Sequence, residues 1–293
     1  MYPGNFEYHR ADSVEDALDL LADHPDAELL AGGHSLLPAM KSGLASPGHL
    51  IDIGRIDALR GIERDGDAIS IGALTTYDAV IDSEAVAEGA SVLAEATRTV
   101  GDAQVRNRGT IGGNLAHADP ASDLPGAVLA ADATLVAQGP DGEREIPVDD
   151  FFQGMYATAL AEDELLTRVE VPHRPDAAGA YAKKPSPSSG YAMVGVAVAL
   201  TLDGDVVDDV RVAANGALDH GVRLEPVEGA LAGESLDDDV IETAAARAGD
   251  DVEDWALMDD LQASGEFRRQ LLSVYARRAL EQATERAGAV APA

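Results

Sequence analysis

The sequence predicts an α+β fold in two domains that meet near residue 175. Short apolar strand segments alternate with amphipathic helical segments, and no internal repeat is present. The segment 173–190 contains several prolines and serines, which is typical of a linker. Because 293 residues exceed the usual size of one domain, a division of the chain is expected.

The first 55 residues predict a βαβ unit. Ser13 precedes the apolar row of a helix and is the residue type that caps a helix N-terminus. His24-Pro25 ends that helix, because the residue before a proline disfavours the helical conformation. The remaining elements are strands at 6–9, 28–31 and 50–53 and a short helix at 36–41.

The segment 56–174 predicts a second unit that begins with a hairpin. Asp65-Gly66 is a good hairpin turn between two apolar runs. Thr76 is the expected N-cap of the helix that begins at Tyr77. The other predicted features are strands at 59–62, 68–71 and 165–171, apolar segments at 124–129 and 133–138, a helix at 89–100 and a loop at 107–123.

The remainder of the chain predicts strands at 192–202 and 206–213 and helices at 239–248 and 265–287. The last helix is amphipathic. Its predicted buried face holds Phe267, Leu271, Val274, Tyr275 and Leu280, and its arginines, including Arg268, are placed on other faces. Trp255 is interpreted as a packing residue of this domain.

The charge balance limits the function classes. Lys and Arg number 21 against 53 Asp and Glu, which gives a formal net charge of −32. Such a surface repels phosphate backbones and anionic lipids, so neither nucleic-acid binding nor membrane association is expected. The acidic residues are spread along the chain, which favours a halophilic protein over one with an acidic tail. The acidic pairs are interpreted as solvated surface, not as metal sites.

Cysteine is absent from the chain. Disulfides, thiolate-held iron–sulfur clusters and cysteine nucleophiles are therefore excluded. The sequence shows neither a signal-peptide pattern nor an apolar run of membrane-spanning length, so a cytoplasmic location without membrane insertion is expected.

Two glycine-rich segments carry the functional signal. In the first, a buried strand runs into Gly32, Gly33, His34 and Ser35 just before a helix. Such a turn suits a phosphate group, because glycines let backbone N–H groups approach it. It lacks both the Rossmann fingerprint and the Walker lysine. A tight strand-to-helix turn is the alternative for this segment taken alone.

The second segment is Arg106-Asn107-Arg108-Gly109-Thr110-Ile111-Gly112-Gly113-Asn114, followed by residues 116–123. Its backbone N–H groups and Thr110 suit a pyrophosphate, and a carboxylate suits a sugar hydroxyl. The two segments together resemble the paired FAD motifs of the medium subunits of molybdenum hydroxylases, a family that includes aerobic carbon monoxide and xanthine dehydrogenases. Ala116-His117-Ala118-Asp119-Pro120 is similar to the carbon monoxide dehydrogenase-like branch. Residues 265–280 resemble the family's C-terminal helix, so the resemblance spans nearly the whole chain.

The resemblance implies an FAD-binding domain of the vanillyl-alcohol-oxidase (PCMH) type over residues 1–174, in subdomains of about 1–55 and 56–174. A smaller α+β flavoprotein C-terminal domain over 175–293 follows. The resemblance places Asp123 at the adenosine or ribityl hydroxyls, and Lys183 and Tyr191 near the flavin. A cation there raises the flavin potential; the alternative for Lys183 is a solvated linker residue. The cofactor-binding set is Ala31, Gly32, Gly33, His34, Ser35, Leu36, Thr110, Gly112, Gly113, Asn114, Asp123, Lys183 and Tyr191.

Neither His34 nor His117 shows metal-ligand spacing with another histidine, and no metal is expected. His34 and His117 lie in or beside the two segments, whereas His9, His24, His49, His173 and His220 are interpreted as structural or surface residues.

The implied function is electron transfer through FAD in a heterotrimeric complex. A molybdopterin-binding large subunit oxidises the substrate, a 2Fe-2S small subunit carries the electrons, and FAD on this chain passes them to an external acceptor. No residue of this chain is then a proton-transfer catalyst. The alternatives are a stand-alone FAD-dependent oxidoreductase, for which no convergent acid–base pair is apparent, and a flavin-free assembly subunit.

Overall fold

The computed structural model describes residues 2–290 and confirms the α+β class. In that range the strands form four sheets, of three, five, four and two strands. No helix between residues 2 and 290 combines the length and the apolar character that a bilayer crossing requires.

The first unit is a small parallel sheet covered by one helix. Its central strand is the last in sequence, in the order β1-β3-β2. Its elements are β1 (Glu7–Arg10), α1 (Val14–Asp23), β2 (Ala27–Leu30), α2 (Leu36–Ser42) and β3 (His49–Asp52). The Ser13 hydroxyl accepts the Asp16 N–H at 3.0 Å, which confirms the predicted cap. Ala17 and Leu21 of α1 pack in one core with Ile51 of β3.

The second unit is an antiparallel sheet, in the order β4-β5-β10-β6-β7, with helices against it. The predicted cap at Thr76 is confirmed, since its hydroxyl accepts the Ala79 N–H. The elements are β4 (Ile62–Asp65), β5 (Ala68–Gly72), α3 (Tyr77–Asp82), α4 (Glu84–Gly89), α5 (Ser91–Arg98), α6 (Ala103–Arg106), α7 (Ile111–His117), α8 (Leu124–Ala130), β6 (Thr134–Gly139), β7 (Gly142–Pro147), α9 (Val148–Phe151), β8 (Phe152–Gly154), β9 (Ala157–Thr158) and β10 (Leu165–Pro172).

The third unit is an antiparallel sheet, in the order β11-β12-β13-β14, with one long helix packed against it. Its elements are β11 (Ala178–Pro185), β12 (Ala192–Asp203), β13 (Val206–Asn215), β14 (Val222–Arg223), α10 (Glu225–Leu231), α11 (Asp238–Ala246) and α12 (Gly265–Val290). Tyr181, Ala197 and Ala213 of this sheet belong to the same core as the helices of the second unit. The second and third units are therefore packed together through an apolar interface.

The helix expected over 89–100 is confirmed as α5, which begins at Ser91, after the non-helical Ala90, and ends at Arg98. One prediction in the second unit was wrong. The loop expected over 107–123 contains α7, which Thr110 caps. Glycines weaken a helix, so their presence concealed this one. Here Gly112 is buried against Ala73, where a Cβ atom would lie only 2.4 Å from the alanine Cβ.

The linker predicted over 173–190 was wrong in its central part. Residues 178–185 form β11, which pairs with β12 from Ala178↔Leu200 to Pro185↔Ala192. The prolines that suggested a linker lie at the ends of strands or outside them. The strand itself is rich in alanine and lacks the β-branched residues that usually mark one.

The predicted buried face of α12 is correct for Leu271, Tyr275 and Leu280. It was wrong for Phe267 and Val274, which are exposed. Arg268 is instead 2% exposed and donates to the carbonyl oxygens of Met193 and Gly216 and to Asp260. Trp255, expected to pack in this domain, is 86% exposed.

Candidate functional site

The first glycine-rich segment forms the turn from β2 into α2. Gly33 lies in the left-handed region at φ +76°, a conformation that favours glycine. Within residues 2–290 we find no protein acceptor for the backbone N–H groups of residues 32–35. Ser35 precedes α2 without a capping bond from its side chain, and the His34 side chain is exposed. This turn therefore presents several backbone donors to a ligand, with Ala31 and Leu36, both partly buried, at its two ends.

The second segment is held differently. The Thr110 hydroxyl accepts the Gly113 N–H at 3.3 Å. The N–H groups of Ile111 and Gly112 donate to the carbonyl oxygens of Thr75 and Ala73, and that of Asn114 donates to Thr110. The sequence interpretation gave these amides to a pyrophosphate, but here they are engaged with protein acceptors. Within the described residues, the backbone N–H groups of the site left without a protein acceptor are those of residues 32–35 in the first segment and that of Thr110 in the second.

The structure brings the two segments into contact, although about 75 residues separate them. A Cβ atom on Gly32 would lie 2.3 Å from the Arg108 carbonyl oxygen. A Cβ atom on Gly113 would lie 3.3 Å from the Cβ atom of Ala31. Glycine at position 32 is therefore required for the close approach of the two backbones.

Asn114 anchors the second segment to side chains that sequence reasoning missed. Its amide donates to the Tyr77 hydroxyl at 2.9 Å and its carbonyl oxygen accepts from Ser122 at 2.7 Å. Burial raises the pKa of Tyr77 well above its usual value, and the hydrogen bond from Asn114 opposes that shift. Tyr77 therefore stays neutral at physiological pH. Its position directly after the predicted helix cap at Thr76 was the only sequence signal for it.

Asp123, in the second unit, and Lys183, in the third unit, form a buried ion pair that joins the two predicted domains. The Lys183 ammonium donates to the Asp123 carboxylate at 2.8 Å and to the carbonyl oxygens of Thr99 and Gly190 at 3.0 Å each. The Tyr181 hydroxyl donates to the other oxygen of Asp123 at 2.7 Å. Burial raises the pKa of Asp123, and the Lys183 charge opposes that shift.

This arrangement gives both side chains a role within the protein. Asp123 is 4% exposed and all three donors of Lys183 have partners. The expected contacts of Asp123 with cofactor hydroxyls and of Lys183 with the flavin remain predictions. The alternative of Lys183 as a solvated linker residue was wrong, because it lies in β11 and is largely buried.

Tyr191 lies between the two domains, next to the first segment. It follows the loop between β11 and β12 and is 43% exposed. Burial of its ring raises the pKa of its hydroxyl, and the proximity of Ser35 opposes that shift. The rings of His117 and Tyr156 form a pair with their centroids 5.1 Å apart. This pair lies near Tyr191, because Tyr156 and Asp119 both raise the pKa of the Tyr191 hydroxyl. Aromatic faces and backbone donors therefore adjoin one another.

The residues present fit a dinucleotide such as FAD. The unpartnered N–H groups at 32–35 suit anionic oxygens, and the Ser35 hydroxyl adds a further donor. Aromatic side chains such as Tyr191 suit a planar ring.

His9, His24 and His49, interpreted from the sequence as structural or surface residues, stack on one another in the first unit.

Two family models together match almost the whole chain. Residues 4–174 match the FAD binding domain in molybdopterin dehydrogenase. Residues 179–283 match the CO dehydrogenase flavoprotein C-terminal domain.

Similar proteins extend over nearly the same length. The carbon monoxide dehydrogenase medium chain of Hydrogenophaga pseudoflava is 39% identical, with 98% of this chain and 99% of the relative covered. The glyceraldehyde dehydrogenase medium chain of Sulfolobus acidocaldarius is 35% identical, with 96% and 99% covered. Among solved structures, a chain of H. pseudoflava carbon monoxide dehydrogenase lacking the Mo-pyranopterin moiety superimposes with a TM-score of 0.93 at 40% identity, and 98% of this chain and 99% of that chain are covered.

Proposed function

Because this chain belongs to the FAD-binding family of the molybdopterin dehydrogenases, we propose that it is the subunit that relays electrons out of such a complex. It is an FAD-binding oxidoreductase subunit with the fold of a carbon monoxide dehydrogenase medium chain. The proposal concerns the source and the destination of the electrons. They come from a 2Fe-2S small subunit, after a molybdopterin-binding large subunit has oxidised the substrate, and they leave to an external acceptor.

The single observation that carries the proposal is the complete absence of cysteine from a chain of this family. Iron–sulfur clusters are held mainly by cysteine thiolates, so this chain cannot hold a cluster of the ordinary type. An electron path from a metal centre to FAD must then begin on other chains. The relatives with this fold are named as medium chains, which agrees with such a division of labour.

The chain's own residues bind and position the cofactor. The N–H groups at 32–35 are donors available to its pyrophosphate, and the bonds of Thr110 and Asn114 fix the second segment, which contacts the first. Tyr191, from the C-terminal domain, lies near Ser35. When bound, FAD supplies the capacity to accept electrons and pass them on. The proposal assigns no proton-transfer catalyst to this chain.

Flavin bleaching under anaerobic conditions tests this proposal. The FAD-loaded chain is mixed with carbon monoxide, glyceraldehyde or xanthine, first alone and then as the complex captured from its native host. We expect none of the three to bleach the flavin of the isolated chain. A substrate of the complex is expected to bleach the same flavin when the partners are present, with the iron–sulfur signal reduced as well.

Two other results would contradict the relay. Bleaching of the isolated chain by a substrate would favour the stand-alone oxidoreductase. A captured complex that turns over while its FAD stays oxidised would show that the electrons leave by another route. A flavin-free assembly subunit is the third alternative, and it would be indicated by a complex that contains this chain without any flavin.

The acidic composition supports a proposal about the working environment. With a net charge of −32, the chain repels itself at low ionic strength, and concentrated salt screens that repulsion. We propose that the protein functions in a halophilic, cytoplasmic setting.

A further inference from the structure

Three histidines from three different elements converge in the first unit. His9 lies in β1, His24 follows the last residue of α1, and His49 begins β3. One ring nitrogen from each lies within 4.8 Å of the other two. The three rings stack on one another. All three residues are partly buried, so they remain within reach of solvent.

The geometry is close to that of a metal site. His9 Nε2 and His49 Nδ1 are 3.0 Å apart. Two nitrogens bound to one tetrahedral zinc ion at 2.0–2.1 Å are about 3.4 Å apart, so this pair needs little adjustment. The His24 ring stacks on both of the others, with centroid distances of 4.4 and 4.2 Å. One ring nitrogen of His24 lies within 4.8 Å of those of His9 and His49.

The local charge favours a cation. The Glu7 carboxylate lies 3.8 Å from His49 Nδ1, because Glu7 and His49 are register partners in β1 and β3. A carboxylate at this position is suited to bind the ion directly or through a water molecule. Imidazole ligands without thiolates suit zinc, nickel and copper. They suit magnesium and calcium far less, because these ions prefer oxygen ligands.

We propose that His9, His24 and His49 form a binding site for a divalent late transition-metal ion, of which Zn²⁺ is the test case. The ion ties together β1, β3 and the end of α1. His49 is level with Ala27 at the start of β2, whereas the glycine turn at 32–35 follows the other end of that strand. The site is therefore structural: it stiffens the unit that carries the first FAD segment and does not contact the cofactor.

Zinc titration of the chelator-treated, FAD-loaded chain tests the site. We expect one equivalent of Zn²⁺ to bind by calorimetry. At zinc concentrations about 100-fold above the dissociation constant, the melting temperature should rise by about 5 °C. Co²⁺ in place of zinc is expected to give the visible bands of a nitrogen-coordinated ion in a difference spectrum against the flavin.

Single substitutions identify the ligands. His24→Gln and His49→Gln should each weaken zinc binding at least tenfold and abolish most of the thermal shift, while the FAD content stays unchanged. His220→Gln, in the C-terminal domain, is the matched control and should behave like the wild type. Equal zinc affinity in all four proteins, or a wild-type chain that binds neither Zn²⁺ nor Co²⁺, would overturn the proposal. If one histidine variant does not fold, the wild-type stoichiometry and the Co²⁺ spectrum decide.

Discussion

At the scale of single residues, the Asp123–Lys183 pair is the most consequential contact. It joins a residue at the start of α8 to one in β11, with side-chain exposures of 6% and 11%. Breaking a buried ion pair by removing one partner costs much more than replacing both, because the remaining charge has no counter-charge. Tyr181 and Thr99 are hydrogen-bonded to the same pair, so its loss is expected to destabilise both domains.

Asp123→Asn should destabilise the protein by about 3–5 kcal/mol, since it leaves the Lys183 ammonium buried without its carboxylate. Denaturant unfolding in high salt measures this change. The double variant Asp123→Asn/Lys183→Met should lose less than the sum of the two single variants. Strictly additive losses would show that the two side chains do not stabilise each other.

The burial of Arg268 could not be predicted from its residue type. An arginine on an amphipathic helix is normally assigned to the solvent face, yet Arg268 is buried and binds two carbonyl oxygens and Asp260. Carbonyl oxygens at the ends of strands are acceptors that no sequence pattern reveals. The assignment of Leu271 and Leu280 to the core succeeded because apolar burial follows helical periodicity.

At the scale of elements, the sequence was most informative where a local rule acts alone. The caps at Ser13 and Thr76 were predicted from hydroxyl side chains that precede helices, and the hairpin at Asp65-Gly66 followed from turn chemistry. The helix α7 and the strand β11 were missed because tertiary packing overrides their poor local propensity. The glycines of α7 fit the close contact with Ala73, and β11 is stabilised by pairing with β12.

Part of the candidate site could also be predicted from local sequence patterns. Its two glycine-rich segments are visible in the sequence, and the structure places them in contact. The partners of the second segment, such as Tyr77, Ser122 and Thr75, depend on the tertiary fold and could not be found from spacing.

The link between Arg144 of β7 and Glu164 gives a prediction about pH. Arg144 donates to both oxygens of Glu164, and this hydrogen bonding lowers the pKa of Glu164 below its ordinary value. A lowered pKa in the folded state contributes stability above the unfolded-state pKa of about 4.3, and that stability is lost as the pH falls through the folded-state pKa. Glu164→Gln should therefore be less stable than the wild type at neutral pH, and the difference should shrink in acid.

Thermal unfolding between about pH 3 and pH 7 measures the effect of Glu164→Gln. Glu162→Gln removes the same charge from an exposed neighbour and is the matched control. A stability difference for Glu164→Gln that does not change with pH would contradict the assigned role of its carboxylate.

At the scale of the whole molecule, the surface charge dominates. The core is contributed mainly by alanine, valine and leucine, and aromatic residues make up only 4% of the chain. The net charge of −32 opposes the compact state unless ions screen it. The second and third units share an apolar core, so we expect their unfolding to be coupled.

Salt should therefore stabilise the protein strongly. We expect the melting temperature to rise continuously as KCl is increased from about 0.1 M, where the Debye length is about 10 Å, to above 1 M, where it is about 3 Å. Sucrose at matched water activity is the control, because it favours compact states without screening charge. A melting temperature that is unchanged or lower in high salt would contradict the halophilic interpretation.

We propose that FAD binds where the two glycine-rich segments meet, and the flavin content of Gly32→Ala tests this most directly. Gly229→Ala is the control, because Gly229 lies in α10 with open space around its Cβ position. The absorption spectrum of each protein, purified in high salt and then denatured, gives the FAD bound per chain. We predict full occupancy in the wild type and the control, and an affinity at least about tenfold weaker in Gly32→Ala, whose new methyl group collides with the Arg108 carbonyl oxygen. Equal FAD affinity in all three proteins would show that the cofactor binds elsewhere.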